Sequence, residues 1–394
     1  MREKTIALLG STGSIGKTTL EIIKKIKKYK VVLIFANKNY SKIISQIITF
    51  KPKIVIISNF IIYKKVKNKY KLSKIIFLNN TLNVEKYIKK IDVTVSAIPG
   101  IAGLEPTILF TKMSKKILLA NKEAIICGWQ LIKNNSIKYH CDLIPIDSEH
   151  FSIDRLAKNY SDKDIDKIYI TASGGPFLNL NKKKFKNIKP KDAIKHPKWS
   201  MGKKISIDSA TLMNKVLELS EALKLFPFHK KKYEIIIHPQ SLVHAIIKLK
   251  NGTTFFLYHL PDMKIPIGNS LYKKFNYSHF TKLKNKKFSD INNLEFLPVD
   301  KKKFPTINLI PSMKAHKSAP IIINAANEIF VDEFLKNNIQ FNDISTYLNL
   351  VLKDKNYIKT SNMSSNSIKN IYKINDWAKN LAYQTIKKNK NTNA

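Results

Sequence analysis

The sequence predicts an α/β chain in three parts: an N-terminal doubly wound parallel sheet, an α+β middle and a C-terminal helical bundle. Three observations carry that reading. A glycine-rich turn joins the first apolar run to an amphipathic helical segment. Short apolar runs then alternate with helical segments to about residue 150. Beyond that the tempo changes, and the chain ends in stretches with helical apolar spacing. At 394 residues there is room for roughly two or three domains, and 44% apolar residues exclude a chain too polar to fold.

Thr5-Ile6-Ala7-Leu8-Leu9 reads as a buried strand running into Gly10-Ser11-Thr12-Gly13-Ser14-Ile15-Gly16, after which Leu20, Ile22, Ile23 and Ile26 recur at helical spacing. Strand, glycine turn and helix form a phosphate cradle, because glycines admit a pyrophosphate close to the backbone and the helix start offers free N–H groups. Two versions compete. Gly16-Lys17-Thr18 nearly completes the triphosphate loop Gly-x4-Gly-Lys-Ser/Thr, but Ser11 stands where its first glycine belongs. Gly10, Gly13 and Gly16 instead follow a G-x-x-G-x-x-G variant of the Rossmann-like dinucleotide turn. The next strand, Val31-Val32-Leu33-Ile34-Phe35-Ala36, ends at Asn37-Lys38-Asn39, where an NAD site carries a carboxylate for the ribose 2′-hydroxyl. A cation with amide donors suits a 2′-phosphate, which favours NADPH over NADH or ATP. The plainer alternative is a polar loop in a lysine-rich protein.

Further strands are expected at 54–57, 75–78, 93–97 and 117–120. In such a sheet ligands bind at the carboxyl ends of the strands. Ala97-Ile98-Pro99-Gly100 and Ala120-Asn121-Lys122-Glu123 fall at two of these ends, Lys122 and Glu123 being either an ordinary helix-start pair or a ligand contact. Leu143, Ile144 and Ile146 lead to a third end at Asp147-Ser148-Glu149-His150. Continued strand alternation places Asp147 and Glu149 on one side and Ser148 on the other. Two hard oxygen donors there are half of a Mg²⁺ or Mn²⁺ site, or else a solvated loop.

From Phe151 onward, a strand at 168–170 precedes Thr171-Ala172-Ser173-Gly174-Gly175, a plain loop or an anion nest of consecutive N–H groups. His196-Pro197-Lys198-Trp199-Ser200-Met201-Gly202 is either a lid closing over a ligand or a loop whose Trp199 plugs a core. Asp208-Ser209 reads as the capped start of a helix that puts Asn214, Lys215 and Glu218 on one face. Lys215 and Glu218 are a surface ion pair, or Glu218 is a third carboxylate for a metal. A strand at 235–237 leads into His238-Pro239-Gln240-Ser241, another follows at 253–258, and His244 among apolar residues reads as a core histidine or one that supports a site from behind, sooner than as a catalytic base. Residues 286–311 read as a linker, with helices at 319–335, 343–353, 364–372 and 376–388 beyond it.

The net charge of +42 normally points to nucleic acid or an anionic membrane, but arginine occurs only at Arg2 and Arg155 and the lysines are spread over nearly every segment. Bidentate base reading and stacking favour arginine, so specific nucleic-acid binding is not expected. Cys127 and Cys141 fit neither a zinc knuckle nor a disulfide framework. No run reaches the about 18 apolar residues of a membrane span, so a soluble, cytoplasmic protein with no membrane partner is expected.

Taken in order, Gly10-Ser-Thr-Gly-Ser-Ile-Gly16, Leu118-Leu-Ala-Asn-Lys-Glu123, Pro145-Ile-Asp-Ser-Glu-His150, Ser173-Gly-Gly-Pro-Phe177, His196-Pro-Lys-Trp-Ser-Met-Gly202, Asp208-Ser-Ala-Thr-Leu-Met-Asn-Lys215, His238-Pro-Gln-Ser241 and Asn324-Ala-Ala-Asn-Glu328 closely resemble the 1-deoxy-D-xylulose-5-phosphate reductoisomerase family. The match in order and spacing spans nearly the whole chain. It implies an enzyme that rearranges 1-deoxy-D-xylulose 5-phosphate, a sugar phosphate, and reduces the product with NADPH to 2-C-methyl-D-erythritol 4-phosphate, for non-mevalonate isoprenoid synthesis.

The resemblance further implies a cytoplasmic homodimer with an NADPH-binding Rossmann-like domain (1–150), an α+β catalytic and dimerisation domain (151–285) with a lid at 196–202, the linker, and a helical domain (312–394). Metal ligands, for Mn²⁺, Mg²⁺ or Co²⁺, fall on Asp147, Glu149 and Glu218. Substrate contacts fall on Lys122, Ser148, Glu149, Ser173, His196, Trp199, Ser209, Asn214, Lys215 and Glu218, with Lys122, Asp147, Glu149, Glu218 and His196 as the catalytic set. NADPH contacts fall on Thr12, Gly13, Ser14, Ile15, Asn37, Lys38, Asn39, Asn121, Glu123 and Gly202. The family commonly has Gly where this chain has Asn37 and Ala172, and Arg where it has Lys203. Two other readings stand beside it: a different NADPH-dependent semialdehyde reductase with a cysteine nucleophile, and a polyanion-binding protein.

Overall fold

The computed structural model describes residues 3–199, 202–280 and 293–392. The chain divides into two compact units, one of Met1–Ile125, Trp129–Asp147 and Met263–Lys282, the other of Ile126–Gly128, Ser148–Asp262 and Leu283–Ala394.

The first unit is built on seven parallel strands: β1 (Lys4–Leu9), β2 (Tyr29–Ala36), β3 (Ile54–Ile57), β4 (Ile76–Leu78), β5 (Ile91–Ser96), β6 (Ser114–Leu119) and β7 (Asp142–Pro145). Their order is β4-β3-β2-β1-β5-β6-β7, so the chain winds outward from β1, returns to β1's other side and winds outward again. The crossovers are α1 (Ser14–Ile26), α2 (Tyr40–Phe50), α3 (Phe60–Lys69), α4 (Leu104–Thr111) and α5 (Lys122–Tyr139). Both faces of a parallel sheet are covered, and the strands are accordingly near-continuous apolar runs: Ile6, Ala7 and Leu8 in β1 are all fully buried. On α1, Leu20, Ile22 and Ile23 face the core while Glu21, Lys24 and Lys25 face solvent, the lysines lying at the negative end of the helix dipole. The switch in winding direction falls between the carboxyl ends of β1 and β5, where the glycine turn begins.

A later helix, α10 in chain order (Lys264–Leu271), also belongs to this unit: Ile267 and Leu271 join its core, and the Tyr29 hydroxyl donates to the Leu271 carbonyl at 2.8 Å. The sequence reading had grouped this stretch with the middle of the chain. The return crossing is invisible in local periodicity.

In the second unit the elements are α6 (Ser148–Ala157), β8 (Ile165–Ala172), α7 (Pro190–Ala193), α8 (Lys203–Ala210), α9 (Met213–Leu225), β9 (Tyr233–Ile237), β10 (Val243–Leu249), β11 (Thr254–Tyr258), α11 (Ile310–Ala315), α12 (Ala319–Leu335), α13 (Phe341–Leu352), α14 (Tyr357–Ser361) and α15 (Ile368–Thr392). The sheet order is β11-β10-β8-β9, with β8 and β9 parallel and the other pairs antiparallel. Ile153 of α6 and Leu219 and Ala222 of α9 pack on Ile168, Ile170, Ala245 and Ile247 of the sheet. Helices α12, α13 and α15 pack on one another, and α12 also meets α8.

Five expectations change. The two helices expected at 364–372 and 376–388 are one, α15, because Ile371, Ile374, Ala378, Ala382 and Ile386 form an unbroken buried stripe. Asp208 does not cap a helix: it lies inside α8, and the break comes at Thr211 and Leu212. Part of the expected linker is core, with Phe304, Ile307 and Leu309 buried next to α11, while its residues 286–292 lie outside the described residues. Strand β10, antiparallel to both β8 and β11, was not read from the sequence. Finally, the strand before Asp147 stops at Pro145 and a helix starts at Ser148, so the alternation argument does not hold there.

Candidate active site

In the first unit the turn after β1 is drawn tight by its own backbone. The N–H groups of Gly10 and Ser11 both donate to the Phe35 carbonyl at 2.9 Å, and Gly13 N–H donates to the Gly10 carbonyl at 3.1 Å. Gly10 has φ +88 and lies against the Ala97 backbone, while a Cβ on Gly16 would sit 2.5 Å from the Gly10 and Ser11 carbonyl oxygens. Gly13 caps α1 without any side-chain bond, and Thr12, Ser14 and Ile15 flank it, so the first N–H groups of α1 face outward. This fits a pyrophosphate.

Asn37, Lys38 and Asn39 follow β2 and are exposed. The Asn39 side-chain oxygen caps α2 by accepting from Lys42 N–H at 3.2 Å, which leaves its amide N–H groups outward. Asn121 is more committed. Its side-chain oxygen accepts from Ala124 N–H at 2.6 Å and its amide donates to the Gly100 carbonyl at 3.1 Å, so the side chain staples the loop after β5 to the start of α5. At 2% exposure its side chain has almost no surface to offer a ligand. Glu123, half-buried, lies in the first turn of α5, and Lys122 beside it extends to Asp147, Nζ to Oδ2 3.3 Å.

The second unit opens with Ser148 and Glu149 in the first turn of α6, where the helix dipole favours a carboxylate. Lys215, one helical turn before Glu218 on α9, reaches Glu218 Oε2 at 2.5 Å and also bonds Glu149 Oε1. Asn214 donates to the other oxygen of Glu218, and the Ser148 hydroxyl donates to Glu149 Oε2 at 2.6 Å. Asp147 immediately precedes Ser148, at the turn from β7 into α6. Glu149 and Glu218 are buried. Glu149 and Glu218 around Lys215 keep a net negative charge and offer hard oxygen donors, which fit Mg²⁺ or Mn²⁺. Glu149 is placed by the strand-to-helix turn and not by strand alternation.

Ser173 and His196 form a second cluster in this unit. His196 Nδ1 accepts backbone N–H bonds from Lys198 (3.1 Å) and Trp199 (2.9 Å), which fixes its proton on Nε2, 2.9 Å from Ser173 Oγ. Gly175 N–H also donates to that oxygen, at 3.1 Å. With two donors already on Oγ, the hydroxyl proton of Ser173 is free to point at an anionic oxygen. Burial, and next the nearby Lys215 ammonium, push the His196 pKa down to about 4, so the ring is neutral at neutral pH. Gly174 (φ +81) and Gly175 (φ +65) turn the chain against α8, where a Cβ on Gly175 would lie 2.8 Å from the Ser209 carbonyl. Ser209 itself is buried in α8. Trp199 sets its ring edge-on to His244, 6.1 Å between centroids, while Ser200 and Met201 of the expected lid lie outside the described residues. Gly202 starts α8 with open space on its Cβ side.

Sequence reasoning missed what holds α8. Asp208, 1% exposed, accepts from the Asn327 amide at 2.7 Å and pairs with Lys204 at 3.1 Å, next to Ser209. The signal was present: Asn324 and Asn327 are polar residues buried in the apolar helix α12. Leu212, with φ +60 and 1% exposure, makes the sharp joint that brings Asn214, Lys215 and Glu218 round from α8. His244 is buried and stacked on His259 at 3.9 Å, a core histidine as read.

Family models described as 1-deoxy-D-xylulose 5-phosphate reductoisomerase and its C-terminal domains match residues 6–128, 143–226 and 259–381. The chain is 45% identical over 379 residues to the 1-deoxy-D-xylulose 5-phosphate reductoisomerase of Pelagibacter ubique (strain HTCC1062), covering 95% of this chain and 97% of that one. It is 39% identical over 391 residues to that of Sulfurihydrogenibium sp. (strain YO3AOP1), covering 97% and 98%. Among solved structures, a DOX-P reductoisomerase in complex with NADPH, fosmidomycin and magnesium superposes with a TM-score of 0.90 at 32% identity over 98% of both chains. The Zymomonas mobilis reductoisomerase in complex with NADPH gives 0.86 at 31% identity over 98% and 99%.

Proposed function

The chain belongs to the 1-deoxy-D-xylulose 5-phosphate reductoisomerase family, and from that premise we infer that it converts 1-deoxy-D-xylulose 5-phosphate to 2-C-methyl-D-erythritol 4-phosphate with NADPH and a divalent metal, in isoprenoid precursor synthesis. The observation that carries this for the chain's own residues is the pairing of Glu149 and Glu218 through Lys215, with Asp147 at the turn just before Ser148. When bound there, a divalent cation supplies Lewis-acid polarisation of the substrate's oxygens, and NADPH supplies the reducing equivalents.

The protein's part is positioning and charge. Asp147, Glu149 and Glu218 hold the cation. Lys122 and Lys215 place ammonium groups beside these carboxylates, which stabilises negative charge developing on the substrate. Ser173, through its free hydroxyl proton, and His196, Ser209, Asn214 and Lys215 take the substrate phosphate, whose binding energy orients the reacting carbons. Ser148 orients Glu149 and borders the substrate, and Trp199 closes the site against water. Thr12, Gly13, Ser14 and Ile15 take the pyrophosphate of NADPH, Asn37, Lys38 and Asn39 its 2′-phosphate, and Asn121, Glu123 and Gly202 complete the cofactor contacts. Residues 1–150, with α10 packed on them, serve the cofactor, the rest of 151–285 the substrate, and 312–394 the packing.

A cysteine-nucleophile reductase is a poorer reading. Cys127 and Cys141 are buried, and burial pushes the Cys141 thiol up to about 12, where it is not a nucleophile. Reduced buried thiols accord with a cytoplasmic protein. Among the described residues no helix is long and apolar enough to cross a membrane. A homodimer accords with β11, an edge strand of its sheet that exposes Phe255 and Phe256 (40% and 47%).

Mn²⁺ titration followed by electron paramagnetic resonance tests the metal assignment apart from turnover. Glu218→Gln is expected to weaken Mn²⁺ at least about tenfold, the loss of one charged ligand, with NADPH affinity unchanged. Unaltered Mn²⁺ affinity removes Glu218 from the ligand set.

A further inference from the structure

We propose that a basic cavity on the far part of α9, bordered by α11 and the start of α12, is a second ligand site that takes a small molecule with a diphosphate head and an apolar body. The cavity is open to solvent and has a volume of about 310 Å³, the size range of small-molecule pockets. Lys224, Lys230, Lys314, Lys317 and His316 line it, and no carboxylate does. Its other wall is apolar, formed by Leu223, Phe228, Met313 and Pro320.

Two of the lysines are held as neighbours by the backbone. Lys314 Nζ donates to the Lys230 carbonyl at 2.8 Å and Lys230 Nζ to the Lys314 carbonyl at 3.4 Å, so neutral acceptors fix two like charges as neighbours. Burial lowers the pKa of Lys224, and burial followed by Lys230 lowers that of Lys314. Glu234 acts on Lys314 in the opposite sense, but that carboxylate is already bonded by Lys167. Pro320 lies in the first turn of α12, a 17-residue helix whose Ser318 hydroxyl donates to the Met363 carbonyl at 2.7 Å and does not cap the first turn, and the positive end of that helix adds to the same field. A multiply charged head accordingly suits the lysines, and an apolar body suits Leu223, Phe228 and Met313.

Because lysine is abundant everywhere in this chain, the test separates a built site from general charge. Isothermal titration of the whole protein with n-butyl diphosphate, and with inorganic pyrophosphate, is run on four forms. These are the wild type, Lys224→Met/Lys314→Met, the exposed-lysine control Lys64→Met/Lys67→Met, and the phosphate-site variant Ser173→Ala/Asn214→Ala. The wild type is expected to bind n-butyl diphosphate more tightly than pyrophosphate. The cavity variant should lose about tenfold or more of that affinity, the loss of two charge-assisted contacts, with turnover unchanged as evidence that it folds. Both other variants should change it by less than about threefold. Lys230→Gln alone should weaken binding in the same direction. No binding to wild type, no preference for the alkyl compound, an equal loss in the exposed-lysine control, or a loss that follows Ser173 and Asn214 overturns the proposal.

Discussion

At the scale of the residue, His196 carries the most specific expectation. Two backbone N–H groups on Nδ1 and a pKa of about 4 define a neutral ring protonated at Nε2. Nitrogen NMR of the imidazole across pH is expected to show that tautomer down to about pH 4, and a ring titrating near its ordinary value contradicts it. The sign of the linked stability follows. The folded pKa is depressed, so the unfolded chain binds the extra proton first, and the contribution of His196 is full above the unfolded value near 6.5 and is lost as pH falls through about 4. Ser173→Ala removes the free hydroxyl proton and should raise KM for the sugar phosphate about tenfold or more, one hydrogen bond to a charged group, leaving KM for NADPH unchanged. Legibility at this scale was uneven. Gly10, Gly13, Gly16 and the Asn214, Lys215 and Glu218 face followed from spacing, because helices and glycine turns encode themselves locally. The Ser148 hydroxyl bond to Glu149 did not, because it depends on where a strand stops and a helix starts.

At the scale of the element, the arrangement rests on the joint between α8 and α9. Leu212 adopts a left-handed conformation that costs about 1–2 kcal/mol in a non-glycine residue, and Asn327 of α12 holds Asp208 on the other side of the joint. Removing that buried bond in Asn327→Ala is expected to destabilise the fold by about 1–3 kcal/mol and to raise KM for the sugar phosphate through displaced Ser209. Urea denaturation and substrate titration check both, and an unchanged KM disconnects α12 from the substrate site. The sequence reading ran one helix through this joint because Thr211 and Leu212 are ordinary helix residues; only packing against α12 and the Thr306 hydroxyl bond to the Thr211 carbonyl explain the break. Seven parallel strands were readable because a sheet buried on both faces must be written as apolar runs. Strand β10 and the return of α10 to the first unit were not, since the pairing of β10 with β8 and the packing of α10 on Tyr29 join residues far apart in sequence and leave no local period.

At the scale of the whole molecule, a two-fold assembly through β11 predicts that Phe256→Lys lowers the mass measured by light scattering from dimer to monomer while Mn²⁺ affinity is retained. A wild type that is monomeric at all concentrations contradicts it. The net charge of +42 is distributed along the chain without arginine clusters, so association with polyanions should fall steeply with salt and carry no sequence preference. The central claim is that one chain joins a metal-dependent rearrangement to a reduction by NADPH. Following NADPH absorbance with 1-deoxy-D-xylulose 5-phosphate, in the presence of Mg²⁺ or Mn²⁺ and after chelation, tests it most directly. Oxidation that requires both the sugar phosphate and the metal, and that is lost in Glu218→Gln, is the predicted result. NADPH oxidation that persists without metal, or none with both present, contradicts the account.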